Sequence, residues 1–352
     1  RDTPTGTRLF RTKIGGPIEC LTPGEGSYRV NVSPDGRHYL ASWSDLHTPT
    51  QVKLFAGDGK LVRVVDSNPS YQTKEYRFGP VERVHVPARD GFVLEGEVIL
   101  PPDLDPARKY PVWFTTYGGP HAPMTSEGWQ AGRIHDQAMA SEGIIVFHLD
   151  PRSASGKGAV SAWKAYKQLG VRELEDIKDG IAWLKRRPYV DGARIGMSGH
   201  SYGGYLTSYA MTHSELFAAG IAGAPVTDWR DYDSIYTERY LGLPQDNPEG
   251  YKKSSVVSAA RNLHGKLLLI HGLIDDNVSV RNTMRLVQAL QDADKDFELM
   301  IYPGSRHPVF SPHYSRLQIE FIRRSLEKPP AAAPAGARAA TARRGGSGHA
   351  GP

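Results

Sequence analysis

A single cysteine, Cys20, stands in 352 residues, so the chain can form no intrachain disulfide and no cysteine-based zinc site. No apolar run reaches membrane-spanning length. Basic residues form no stripe with interleaved aromatics, and the net charge of +5 is modest, part of it lying in the C-terminal tail; no nucleic-acid partner is expected. The opening residues, Arg1-Asp2-Thr3, offer neither an initiator methionine nor a signal-like apolar core. They read as the start of a truncated or processed piece and leave the compartment open, with a periplasmic or secreted setting as the candidate. What is present is the composition of a globular protein, 39% apolar and 23% charged, long enough for one large domain and part of another.

Residues 1–78 read as short strands cut by turns. Apolar alternation around Ser33-Pro34-Asp35-Gly36 and Gly57-Asp58-Gly59 marks antiparallel hairpins. Four strands in so short a stretch make about one propeller blade, which cannot bury both of its faces; a small sheet packed on the next domain is the alternative. Residues 79–328 follow another pattern. Strands are expected at 81–87, 93–101, 111–117, 143–149, 194–199, 218–224, 266–271 and 297–302, several as continuous apolar runs. Helices are expected at 127–140, 171–187, 201–212, 280–293 and 314–326. This alternation indicates an α/β fold with an eight-stranded, mostly parallel, doubly wound sheet. Residues 329–352 are rich in Ala, Gly, Pro and Arg without apolar periodicity, and read as a disordered tail.

The chain is organised around Gly199-His200-Ser201-Tyr202-Gly203, which follows an apolar strand and opens a helix rich in small residues. Such a corner holds the serine hydroxyl above the sheet, with glycines where the neighbouring strand and helix come too close for side chains. A serine becomes a nucleophile when a base takes its proton and a carboxylate orients that base. In an α/β-hydrolase sheet those partners come later in the chain, acid then histidine. Asp275, with Asp276 as the fallback, follows the strand ending at His271; His307 follows the last strand, with His313 as its rival. His200 adjoins the nucleophile, and neighbouring side chains diverge at such a turn, so it is not expected to be the base. His271 reads as a structural hydrogen-bonding residue. An oxyanion needs donors. One is expected from the backbone N–H of Tyr202, and the other from the loop Tyr117-Gly118-Gly119-Pro120-His121, where the Tyr117 phenol either donates or merely packs. Aromatic residues on a turn-rich insertion after the sixth strand either stack against a substrate ring or form ordinary helix core.

Together Tyr117-Gly118-Gly119-Pro120, Gly199 to Tyr205, Ala224 to Trp229, Tyr236-Thr237-Glu238-Arg239-Tyr240 and His271 to Val278 resemble the prolyl oligopeptidase family, and within it the dipeptidyl peptidase IV branch. The resemblance runs from about residue 80 to 328, and residues 1–78 are similar to the end of that family's β-propeller. It implies an α/β-hydrolase fold and a serine peptidase with the triad Ser201, Asp275 and His307 and an oxyanion hole of Tyr117 and Tyr202. Tyr202, Val226, Trp229, Tyr232, Tyr236 and Val278 would line a flat apolar pocket suited to proline, and Asn277 would hold a substrate carbonyl. Peptides would be the substrates, with no metal or cofactor, and N-terminal dipeptides ending in proline or alanine would be released by the full-length protein. A homodimer through the hydrolase domain is a further expectation.

The chain departs from the pattern in three places. Asp150-Pro151-Arg152-Ser153 stands where the family usually has arginine followed by glycine, and His200 stands where this branch commonly carries tryptophan. The acidic pair that captures a substrate's free amine lies, in the family, in propeller not found in this sequence. The competing expectations are an acylaminoacyl peptidase or esterase of the same fold and, from another class, a catalytically silent interaction module.

Overall fold

A computed structural model describes residues 3–69, 75–129 and 134–327. The tail expected to be disordered lies outside them. After a two-stranded ribbon, β1 (Phe10–Arg11) and β2 (Glu19–Cys20), comes a meander of β3 (Ser27–Val32), β4 (His38–Ser44), β5 (Gln51–Ala56) and β6 (Leu61–Asp66). These strands pair antiparallel in chain order. One small cluster, Leu21, Tyr39, Ala41 and Phe55, forms the core of this sheet, with Tyr39 and Phe55 stacked at 5.0 Å. Val32, Leu40, Leu61, Val62, Val64 and Val65 remain near half exposed. This sheet leaves much of its apolar surface uncovered.

The second sheet holds, among the described residues, eight strands in the order β14-β13-β12-β11-β9-β10-β8-β7. They are β7 (Val81–Pro87), β8 (Val93–Ile99), β9 (Tyr110–Thr115), β10 (Ile145–Asp150), β11 (Val190–His200), β12 (Ala219–Gly223), β13 (Lys266–Gly272) and β14 (Glu298–Tyr302). β9 to β14 run parallel, whereas β8 is antiparallel to both β7 and β10. The continuous apolar runs are explained by cover on both faces. Val112, Phe114, Ile145, Phe147, Leu267 and Leu269 point to one side, and Trp113, Val146, Leu268 and Ile270 to the other.

The first face packs on α2 (Val171–Leu184), α3 (Tyr202–His213) and α6 (Arg281–Asp292); the second packs on α1 (Ile134–Ser141) and α7 (Pro312–Leu326). In α2, Leu174, Ile177, Ile181 and Leu184 recur at helical spacing and are all buried. α7 starts at Pro312 rather than at residue 314. Ser311 caps it by accepting from the Tyr314 N–H at 3.0 Å, and proline is compatible with a first turn.

Two expectations need correction. Residues 127–129 are not helical: the Glu127 N–H donates to the Thr5 carbonyl at 2.9 Å, and the Trp129 N–H donates to Ser44 Oγ at 3.0 Å. Tertiary bonds to the N-terminal segment and to β4 take those donors, and the helix begins its described course at Ile134. The insertion after β12, expected to be turn-rich, folds into α4 (Ser234–Leu241) and α5 (Pro248–Ser254). Asp233 and Asn247 cap them by accepting from Tyr236 N and Gly250 N. No helix among the described residues is long and apolar enough to cross a membrane.

Candidate active site

Because β9, β11, β13 and β14 are parallel, the loops after them open on one edge of the sheet, and that edge receives Tyr117, Ser201, Asp275 and His307. Ser201 lies between β11 and α3 at φ 61°, ψ −119°. A non-glycine residue there costs on the order of 1–3 kcal/mol. Its N–H donates to the Gly223 carbonyl at 2.8 Å, which helps to hold the turn. The neighbouring glycines answer to contact. A Cβ on Gly199 would lie 2.4 Å from the Gly203 backbone, one on Gly203 2.5 Å from the Thr116 carbonyl oxygen, and one on Gly204 2.2 Å from the Gly223 carbonyl oxygen. Alanine at position 204 would gain up to about 1 kcal/mol of helix propensity. It meets a β12 carbonyl that the sheet holds in place, and the clash wins. Gly204→Ala should destabilise the fold by about 1–3 kcal/mol, read as a lower urea midpoint; an unchanged midpoint would show that α3 can shift away from β12.

The side chain of Asp275 is fully buried, and its Oδ1 accepts the backbone N–H groups of Asn277 and Val278, each at 2.9 Å. Its Oδ2 lies 2.7 Å from His307 Nδ1. A carboxylate can only accept, so Nδ1 carries the proton and the lone pair of the ring falls on Nε2. The His307 ring stands 4.8 Å from that of His200, the residue before Ser201. Asp276 points elsewhere: it pairs with Arg306 and is 63% exposed. His313 is exposed too, and its Nδ1 meets the Tyr302 hydroxyl at 2.8 Å. His271 is buried behind the acid, where Nε2 donates to the Val278 carbonyl at 2.8 Å while Nδ1 accepts from Thr283 Oγ1 at 2.7 Å. Burial holds its pKa below the usual histidine value, so it stays neutral and supports the loop. Burial and the nearby His307 push His200 down to about 4.

The Tyr117 phenol lies near the Ser201 side chain, and burial raises its pKa, so it keeps its proton. Tyr202 opens α3, so its backbone N–H has no partner within the helix and is available beside Ser201. The Tyr202 ring packs 6.1 Å from Tyr117, 5.5 Å from Trp229 and 6.5 Å from Tyr236. Trp229 and Tyr236 are stacked 5.8 Å apart, and the Tyr232 hydroxyl donates to Asn277 Oδ1 at 2.8 Å. Val226, Trp229 and Val278 are buried behind this surface, whereas Tyr232 and Tyr236 are half-buried and present part of their rings. The aromatics are thus carried partly by helix: α4 carries Tyr236, and the short turn before it carries the buried Trp229.

Glu173 in α2 was not anticipated. It is buried, and its Oε1 accepts the Tyr202 hydroxyl at 3.1 Å. A signal existed, since residue 173 falls on the apolar stripe with Ile177 and Leu184.

A sequence model described as the prolyl oligopeptidase family matches residues 131–328. Dipeptidyl peptidase 8 of Homo sapiens is 32% identical over 350 residues, which is 93% of this chain and 38% of that protein. The crystal structure of Porphyromonas gingivalis dipeptidyl peptidase 4 superposes with a TM-score of 0.87 at 32% identity, covering 92% of this chain and 47% of that one. The chain spans less than two fifths of the length of the curated relatives it matches first.

Proposed function

This chain belongs to the prolyl oligopeptidase family, and from that we propose that residues 79–328 are a serine peptidase domain acting through an acyl-enzyme on Ser201. In this reading His307 Nε2 takes the Ser201 proton as Oγ attacks the peptide carbonyl, and Asp275 holds the ring and offsets the imidazolium charge. The Tyr117 hydroxyl and the Tyr202 N–H donate to the oxyanion. His307 then protonates the leaving amine, and water resolves the ester. The observation that carries this is the 2.7 Å Asp275–His307 pair, whose imidazole stands 4.8 Å from the ring of His200, the neighbour of the strained Ser201.

Substrate class follows from the aromatic surface. The half-buried Tyr232 and Tyr236 rings, set edge to face 5.7 Å apart and backed by buried Tyr202, offer an apolar corner suited to a pyrrolidine, and Asn277 beside them would hold a substrate carbonyl. In the full-length protein the product would be an N-terminal dipeptide, as the names of the relatives suggest, and the aromatic corner favours proline or alanine at its end. The test combines a fluorophosphonate probe with chromogenic peptides. Ser201→Ala, shown to be folded by circular dichroism, should lose all labelling. The wild-type chain should cleave Xaa-Pro substrates, in unblocked and N-acetylated form alike, in preference to substrates with a bulky side chain before the cut. Labelling that survives Ser201→Ala would refute the nucleophile; a preference for simple esters or bulky acyl groups would favour an esterase or acylaminoacyl peptidase instead.

A further inference from the structure

Glu173 places a carboxyl group on the buried face of α2, 1% exposed, where burial of an unpaired charge is costly; the helix's other buried acid, Asp176, pairs with Arg152. Among the described residues it makes no ion pair. Two hydroxyl groups, those of Tyr202 and Ser153, both donate to Oε1 at 3.1 Å, and Oε2 is buried without a hydrogen-bond partner. Its two donors belong to the two sides of the oxyanion site. Tyr202 follows the nucleophile. Ser153, in the loop after β10, is tied to the Tyr117 loop: its carbonyl accepts the His121 N–H at 3.0 Å, and its Oγ lies 3.5 Å from the Gly118 carbonyl oxygen.

We propose that Glu173 is a positioning residue for the peptidase reaction, whose ionised carboxyl clamps the Tyr202 turn to the loop carrying Tyr117 and so keeps the two oxyanion donors in register. The inference rests on the reading of Ser201 as nucleophile. An ionised acceptor makes the two O–H···O bonds short and strong, whereas a protonated one weakens both and leaves its own new O–H on Oε2 with nothing to bond. Burial pushes the carboxyl up to about 7; its own backbone N–H and then the Ser153 and Tyr202 hydroxyls act in the opposite sense, and Asp176 on the same helix adds to the rise. The other groups that face it carry no compensating charge. Burial raises the pKa values of Tyr202, Tyr205 and Tyr209 on α3 and of Tyr236 on α4, so these phenols remain neutral. Arg152 is engaged by Asp176 and Asp90, each at 2.7 Å. The clamp therefore tightens as pH rises through neutrality.

The measurement is the second-order rate constant for inactivation by a fluorophosphonate between pH 5 and 9, which reports nucleophile and oxyanion hole without reference to the peptide. The wild type should show two ionisations on the acid side, one of them that of Glu173. Glu173→Gln keeps the shape and an acceptor but cannot ionise; it should show one, with a rate at pH 8 roughly tenfold below wild type. An identical two-step profile in Glu173→Gln, or a single ionisation in the wild type, overturns the proposal. Should Glu173→Gln fail to fold, Ser153→Ala decides. Removing one donor to the charged carboxyl must move that inflection to higher pH, and an unmoved inflection refutes the clamp. Failure of the underlying reading looks different: labelling would survive Ser201→Ala, and the premise and the inference would fall together.

Discussion

His307→Ala should lower turnover of a peptide substrate on the order of 10⁴-fold, while His313→Ala stays close to wild type. Both histidines follow β14, and both have a hydrogen-bond partner on Nδ1. The partners differ in kind. His307 faces the buried carboxylate of Asp275, which fixes its tautomer and offsets the charge it acquires; His313 faces the Tyr302 phenol at the surface, which does neither. A general base without a carboxylate behind it has no reason to stand in the required tautomer. Circular dichroism on both variants separates a lost base from a lost fold. The reverse ranking would move the base to position 313 and leave the Asp275–His307 pair structural.

Tyr117→Phe should reduce kcat by about 10²–10³ with little change in KM. Phenylalanine preserves the ring that packs 6.1 Å from Tyr202, so the loop keeps its main apolar contact and substrate binding should persist. Only the hydroxyl is removed. Because burial raises the phenol's pKa, that hydroxyl holds its proton throughout the working range and serves as a neutral donor, stronger toward a developing oxyanion than toward a ground-state carbonyl. An unchanged kcat would leave Tyr117 a packing residue and place the oxyanion on backbone donors alone.

The eight strands of the larger sheet were legible because strands covered on both faces need little more than continuous apolar sequence, as in Lys266–Gly272 and Ile145–Asp150. The Ser201 corner was legible through its glycines, each of which answers to a backbone contact shorter than any Cβ allows. The stretch at 127–129 misled because its N–H groups bond to Thr5 and Ser44, far away in the chain. Helices α4 and α5 were missed although Asp233 and Asn247 announce their starts, since the aromatic run between them reads equally well as pocket wall and as core.

By itself, then, the sequence determined the sheet, the order of Ser201, Asp275 and His307 along it, and the family, because apolar periodicity and local glycine geometry are properties of short segments. The tertiary structure alone decided between neighbours. Asp275 turns inward to two backbone N–H groups and His307, while Asp276 turns out to Arg306. Glu173 acquires its significance from two hydroxyls contributed by the loop after β10 and by the Tyr202 turn. The direction in which a side chain points and the charge it carries once buried depend on groups that meet only in the folded chain, and adjacent residues of identical chemistry differ in nothing else.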